Sequence, residues 1–194
     1  MKVNEIFYSI QGEGFHTGTA AIFIRFSGCN LNCAFCDTDH LSGIELTEDE
    51  IIDDVSKYPA QLVVVTGGEP TLQLTTSLVD KLHRAGKIVA IETNGTREVP
   101  VNVDWITLSP KGPYVGEKGS LLVRKANEVK MVYDGIHFSG GDLEHVEADH
   151  FFVQPCDTGD PVSNKKIINE CIEFIKNNPQ WRLSLQTQKI LNVR

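Results

Sequence analysis

Apolar positions along the chain fall into short runs separated by helical patterns. Residues 3–10 and 20–26 read as strands, the second placing Ile22, Ile24 and Phe26 on one face. The three glycines within residues 11–19 predict a loop between them. Thr47-Glu48-Asp49-Glu50 has capping-box spacing and predicts a helix through Ile51, Ile52 and Val55, stopped by Pro59. Residues 62–66 form a β-branched run of the kind buried on both faces of a parallel sheet. A helical pattern across Leu74, Leu78, Val79 and Leu82 ends with Gly86 in the C′ position. Residues 88–92 read as the next strand, followed by a turn at Asn94-Gly95.

The second half repeats the alternation. Residues 105–108, 129–132 and 151–154 predict strands, and residues 182–185 a last one. Ser163 is expected to cap a helix carrying Ile167, Ile168, Cys171, Ile172 and Ile175, ended by Asn177, Asn178 and Pro179. Strand–helix alternation implies parallel strands with right-handed crossovers. A closed eight-fold barrel takes about 250 residues, and this chain has 194. The expected fold is therefore α/β, an incomplete and curved parallel β/α barrel, with its site at the carboxyl ends of the strands. No linker, repeat or low-complexity stretch divides the chain, so one domain over residues 1–194 is expected.

Composition narrows the function classes. Eighteen Lys and Arg against 26 Asp and Glu give a net charge of −8, which argues against nucleic acid or an acidic membrane as partner. No apolar run approaches the roughly 20 residues of a membrane span. Asn4 and Glu5 interrupt the first apolar run, and no small-residue cleavage site follows it. A soluble, cytoplasmic protein is expected. Five cysteines, an odd count without a secretion signal, argue against a disulfide framework.

Cys29, Cys33 and Cys36 lie within eight residues, directly after the strand at 20–26. Three thiolates on one loop can hold three corners of a [4Fe–4S] cluster and leave one iron open to a reactant. A structural zinc with His40 as fourth ligand fits the cysteines equally well. The neighbouring sequence separates the two. Thr66-Gly67-Gly68-Glu69-Pro70 ends the next strand, so both loops open on one rim, and a zinc knuckle requires no such companion. Cys156 and Cys171 read as small buried hydrophobes. His16, His40, His83, His137, His145 and His150 form no ligand pattern and read as solvated or loop residues.

With the cysteine triplet and Gly-Gly-Glu in order, the chain resembles the radical S-adenosylmethionine enzymes. Within them it is similar to the 7-carboxy-7-deazaguanine synthases. The resemblance rests on Ile6-Phe7-Tyr8-Ser9-Ile10-Gln11-Gly12-Glu13-Gly14, Gly18, Ile22-Phe23-Ile24-Arg25-Phe26 and Cys36-Asp37-Thr38-Asp39. It continues through Glu92-Thr93-Asn94-Gly95, Leu108-Ser109-Pro110-Lys111 and Leu183-Ser184-Leu185-Gln186-Thr187-Gln188-Lys189. This family is a lyase that converts 6-carboxy-tetrahydropterin to 7-carboxy-7-deazaguanine with loss of ammonia, a step toward queuosine, the modified base of tRNA. Rival readings are a glycyl-radical activating enzyme of the same superfamily and a zinc-binding interaction module.

The resemblance implies a [4Fe–4S] cluster on Cys29, Cys33 and Cys36, whose open iron chelates S-adenosylmethionine and whose electron cleaves it to a radical. It assigns the cofactor to Phe35, Cys36, Asp37, Gly68, Glu69, Ser109, Pro110, Lys111, Phe151, Phe152, Val153 and Gln154. It assigns the pterin to Ile10, Gln11, Gly12, Glu13, Arg25, Thr66, Gln188 and the terminal carboxylate of Arg194. Arg25 suits a bidentate carboxylate grip, and Glu13 an acceptor for the pterin's donor edge. Thr38 is implied as a ligand of Mg2+, a hard ion content with few protein oxygens. The family often has His where Gln188 stands, and Gln cannot take up a proton near neutral pH. A homodimer and an electron donor such as a flavodoxin complete the implied partners, with neither nucleic acid nor membrane.

Overall fold

The strands β1 (Lys2–Ile10), β2 (Ala20–Phe26), β3 (Ile44–Glu45), β4 (Leu62–Gly67), β5 (Ile88–Thr93), β6 (Trp105–Leu108), β7 (Lys125–Tyr133), β8 (Glu147–Pro155) and β9 (Trp181–Leu183) form one sheet in the order β3-β1-β2-β4-β5-β6-β7-β8-β9. The structure, a computed structural model, describes residues 1–36, 38–137 and 143–193. From β2 to β9 every pairing is parallel, while β1 runs antiparallel to both β2 and β3. This is the parallel, incomplete barrel expected from the alternation of elements.

Helices cover the convex face. α1 (Glu48–Val55) starts on the capping box, with Thr47 accepting from the Glu50 amide and the Glu50 side chain accepting from the Thr47 amide. Such a cap contributes about 1 kcal/mol. α2 (Thr76–Arg84) is capped by Thr75, and Ile51, Val55, Leu78, Val79 and Leu82 pack against Ile22, Ile24, Phe26, Val63 and Val65. A second outer core joins Leu108, Val129, Met131 and Val153 to Ile167 and Cys171 of α4 (Pro161–Asn177).

The concave face grades from apolar to charged, and this grading builds the site. At the amino ends of the strands, Ala21, Leu62, Val64 and Ala90 pack with Phe23 and Trp105. Two residues further along, the same alternation presents Arg25, Thr66 and Glu92 at the carboxyl ends.

Several expectations are corrected. α4 is capped by Asp160, not Ser163: Asp160 Oδ2 accepts from the Ser163 amide at 2.8 Å, and Pro161 occupies the first turn, where its missing N–H is harmless. Leu74 precedes α2, following a 3₁₀ turn at Pro70–Leu72. β7 and β8 extend beyond the expected 129–132 and 151–154, since flanking polar residues such as Glu128, buried in β7, interrupt the apolar run without ending the strand. No helix joins β5 to β6, and only α3 (Gly112–Val115) with a 3₁₀ turn lies between β6 and β7. β3 and α5 (Thr187–Leu191) are too short to show a period. Among the described residues, no helix is long and apolar enough to cross a membrane.

Candidate active site

A cavity of about 500 Å³ lies over the carboxyl ends of the strands, and the thiols of Cys29, Cys33 and Cys36 line it together. Their loop follows buried Phe26 and is closed by the Gly28 amide donating to the His40 carbonyl at 2.6 Å. The next strand's loop is stitched to it: the Glu69 amide donates to the Gly28 carbonyl at 2.9 Å. A Cβ at Gly68 would meet the Gly28 oxygen at 2.2 Å and the Cys29 Cβ at 2.7 Å, so only glycine permits this approach. The Asn94 amide side chain donates to Asn30 Oδ1 at 3.0 Å, fastening the loop to β5 as well. The cysteine triplet and Gly-Gly-Glu thus share one rim.

The thiols suit a cluster. All five cysteines are free, and burial pushes the Cys29 and Cys33 thiols up, with the Lys111 charge pulling Cys33 the other way. The three thiols on one cavity rim match three corners of a [4Fe–4S] cluster. Phe35, Cys36, Gly68, Ser109 and Lys111 line the same cavity. Lys111 donates to Ser109 and lies 5.9 Å from the Phe35 ring centre; burial lowers its pKa. The Phe35 ring also meets Tyr114 edge-on, at 4.5 Å between centroids.

Other residues assigned to the cofactor face elsewhere. Glu69 is fully buried and structural: its carboxylate accepts from the Thr71 amide and hydroxyl, the Thr93 hydroxyl and the Asn94 amide. Phe151 packs on Trp181, and Val153 points into the outer core against α4, because alternate residues of a strand face opposite sides. Phe152 faces inward but lies beneath the Arg182 guanidinium, 4.9 Å from its ring centre. Pro110 is buried outside the lining. Of this group Gln154 alone reaches the cavity. Asp37 and Arg194 lie outside the described residues.

A charged network occupies the rest of the lining. Ile10, Gln11, Gly12, Glu13, Arg25, Thr38, Thr66 and Gln188 all contribute to it. The Glu13 carboxylate accepts from Lys130 Nζ at 2.7 Å and from the side-chain amides of Gln188, Gln154 and Gln186 at 2.9, 3.0 and 3.1 Å. Burial alone would raise its pKa, but the Lys130 charge and these donors bring it down to about 2. Lys130, only 6% exposed, also donates to Glu92 at 2.9 Å, and Gln11 Nε2 donates to the other Glu92 oxygen at 3.2 Å. Burial, and then the charges of Glu128 and Glu13, push Glu92 up to about 7 against the pull of Lys130. Arg25 Nε donates to Glu5 at 2.8 Å, itself a lining residue.

Glu92, Lys130, Gln186 and Glu5 were not among the residues expected at the site. A signal for two of them was present: Glu92 and Lys130 interrupt apolar strands at inward positions, where a charge is rarely buried without a partner. Cys156, expected to be an inert core residue, also lines the cavity, whereas Cys171 is buried against α4 as expected. His16, in the β1–β2 loop as expected, meets Phe15 and Trp105 edge-on, and His150 of β8 stacks with both rings; the two histidines are half-buried.

Fold and rim together define a radical S-adenosylmethionine protein, and the Radical SAM superfamily profile matches residues 23–115. The chain is 52% identical over 193 residues to the 7-carboxy-7-deazaguanine synthase of Bacteroides thetaiotaomicron, covering 100% of this chain and 98% of that one. It is 40% identical to the synthase of Burkholderia multivorans, covering 98% of each. The crystal structure of QueE from Escherichia coli superposes with a TM-score of 0.75 at 28% identity, covering 95% of this chain and 92% of that one. The chain belongs to the 7-carboxy-7-deazaguanine synthase family of radical S-adenosylmethionine enzymes.

Proposed function

We propose that this enzyme converts 6-carboxy-tetrahydropterin to 7-carboxy-7-deazaguanine and ammonia. One observation carries the reading: a single cavity presents three thiols together with a guanidinium and an acid-and-amide network sized for a small polar bicycle. Cys29, Cys33 and Cys36 hold the [4Fe–4S] cluster, and Gly68, Ser109, Lys111, Phe35 and Gln154 line the place of S-adenosylmethionine. When bound, cluster and cofactor supply one-electron cleavage chemistry and hence a radical able to take hydrogen from carbon.

The protein's own residues bind and orient the substrate. Arg25, steadied by Glu5, offers its remaining guanidinium donors to the substrate carboxylate. Glu13, kept ionised, accepts from the amino edge of the ring in exchange for one of its amide donors. Gln11 and Thr66 border the ring. Gln188 donates where a histidine would, without titrating. Thr38 would offer its hydroxyl oxygen to Mg2+, which would neutralise and orient the substrate carboxylate. A homodimer, an electron donor such as a flavodoxin and a cytoplasmic location belong to the same reading; free thiols suit the reducing compartment of the last.

The test is anaerobic reconstitution with iron and sulfide, followed by metal analysis and incubation with S-adenosylmethionine, Mg2+ and the carboxypterin. The reading requires iron, and a product lighter than the substrate by the mass of ammonia. Zinc without iron, or an unaltered pterin, would refute it.

A further inference from the structure

The Glu13 carboxylate is held differently at its two oxygens. Oε2 accepts from Lys130 Nζ at 2.7 Å and Gln154 Nε2 at 3.0 Å, whereas Oε1 accepts from the side-chain amides of Gln186 and Gln188 at 3.1 and 2.9 Å. Behind Gln154, outside the cavity lining, stands Ser184, only 3% exposed. Its own amide donates to the Val153 carbonyl at 3.0 Å, which seats it beside Gln154. Its Oγ accepts from the Gly14 amide at 3.0 Å and donates to Gln154 Oε1 at 2.7 Å, both bonds buried. The direction of this relay is not free. A backbone N–H can only donate, so the hydroxyl accepts there and its single proton goes to the amide oxygen. With Oε1 at Ser184, Nε2 faces Glu13. The flipped amide would set its oxygen against an ionised carboxylate and leave a buried hydroxyl proton without an acceptor. Gly14 follows Glu13 directly, so one serine oxygen holds both the backbone beside Glu13 and the amide on its side chain. The Gln188 amide has no such anchor: its Oε1 is buried without a hydrogen-bond partner among the described residues.

Resting on the reading above that Glu13 receives the amino edge of the carboxypterin, we propose that Ser184 is a positioning residue for the substrate. It acts through Gln154. By locking the donor end of that amide on Oε2, alongside Lys130, it leaves Oε1 as the oxygen that exchanges an amide donor for the substrate's N–H. The substrate then meets an anion already aimed at it, and neither the carboxylate nor the Gln154 amide has to be ordered on binding. A residue outside the cavity lining thereby sets affinity for the pterin and leaves affinity for S-adenosylmethionine alone.

The test compares holoenzyme of wild type, Ser184→Ala, Ser184→Cys, Gln154→Met and the double variant Ser184→Ala with Gln154→Met. Anaerobic calorimetry gives the affinities for carboxypterin and for S-adenosylmethionine, and turnover at saturation gives kcat. Ser184→Ala removes the anchor and should weaken carboxypterin binding about tenfold, the scale of one hydrogen bond to a charged group, with cofactor affinity and kcat within about twofold of wild type. Ser184→Cys keeps the shape with a weaker donor and should fall between, so the role is read even where alanine disturbs the fold. Gln154→Met removes the amide itself. In that background Ser184→Ala should change carboxypterin affinity by less than about twofold, because the two side chains act as one unit. Wild-type carboxypterin affinity in both Ser184 variants would overturn the assignment. So would equal losses of affinity for both ligands, or losses that multiply in the double variant. A wild-type enzyme that binds the carboxypterin and returns it unaltered would instead sink the proposed reaction alone.

Discussion

The thiol rim is assembled from one loop of consecutive residues after β2, whereas the acid-and-amide network draws Glu13 from the β1–β2 loop, Glu92 from β5, Lys130 from β7, Gln154 from β8 and Gln188 from α5. The rim therefore depends on local sequence and on the glycine contact at Gly68. The network depends on the barrel as a whole, because partners as far apart as Glu13 and Gln188 meet only when the sheet has curled. Damage to the rim should remove one chemistry and leave the fold intact. Damage to the network should spread into stability, affinity and pH response.

The largest effect is expected at the rim. Ala at Cys29, Cys33 or Cys36 should abolish the intact cluster and all product formation, while Cys156→Ala and Cys171→Ala should retain iron. Iron and sulfide analysis of anaerobically reconstituted protein checks this. A cluster lost from Cys156→Ala would move the rim's boundary to β8, since that thiol shares the cavity.

Next comes Lys130→Met, which leaves Glu13 and Glu92 without their shared cation. Removing one partner from a buried ion pair destabilises by about 3–5 kcal/mol, and urea unfolding should show a loss on that scale. A loss below about 1 kcal/mol would mean the network is solvated rather than buried.

Smaller effects should separate binding from chemistry. Arg25→Lys keeps the charge but loses the planar fork, and should raise the KM for the carboxypterin by about tenfold, the worth of one good charge-assisted hydrogen bond. Cofactor cleavage without product should survive. An unchanged KM would exclude Arg25 as the carboxylate grip. Gly12→Ala places a Cβ 1.8 Å from Gln188 Oε1 and should displace that side chain from Glu13, again weakening substrate more than cofactor. Thr38→Ala should lower the response of turnover to added Mg2+, and Thr38→Ser should keep it. Superimposable magnesium curves for wild type and Thr38→Ala would take Thr38 out of the metal site.

The smallest effect lies in pH. Glu13 is depressed to about 2, so its contribution is present above the ordinary carboxylate range and is lost as pH falls toward 2. Glu92 is raised to about 7, so its contribution is full at low pH and is lost as pH rises through 7. Stability should therefore decline on both sides of about pH 4–5, and Glu92→Gln should flatten the upper limb only. Equal slopes in wild type and Glu92→Gln would contradict the pairing.

The contrast between rim and network also explains what the sequence made legible. β1, β2, α1, β4 and β5 follow from alternation and capping because each pattern is local and long enough to register. The cysteine loop and Gly-Gly-Glu are likewise local. A motif names a residue without saying which way its side chain turns, and the Glu69 carboxylate closes the loop against Thr93 and Asn94. A run of four residues on a strand contains two faces, and Phe151 and Val153 turn their side chains to the outer core. Glu92 and Lys130 were passed over because only the pairing of β5, β6 and β7 brings them beside Glu13. Asp160 won the cap of α4 because Pro161 fixes the first turn.

The central claim is that rim and network act on one substrate in one cavity. Its most direct measurement is the stoichiometry of a single turnover: reduced holoenzyme mixed anaerobically with S-adenosylmethionine, Mg2+ and 6-carboxy-tetrahydropterin, then quenched and quantified. The account predicts 7-carboxy-7-deazaguanine and ammonia in equal amounts, with Arg25→Lys shifting the balance toward cofactor cleavage without product. Cleavage of S-adenosylmethionine with the pterin recovered intact from the wild-type enzyme would contradict it.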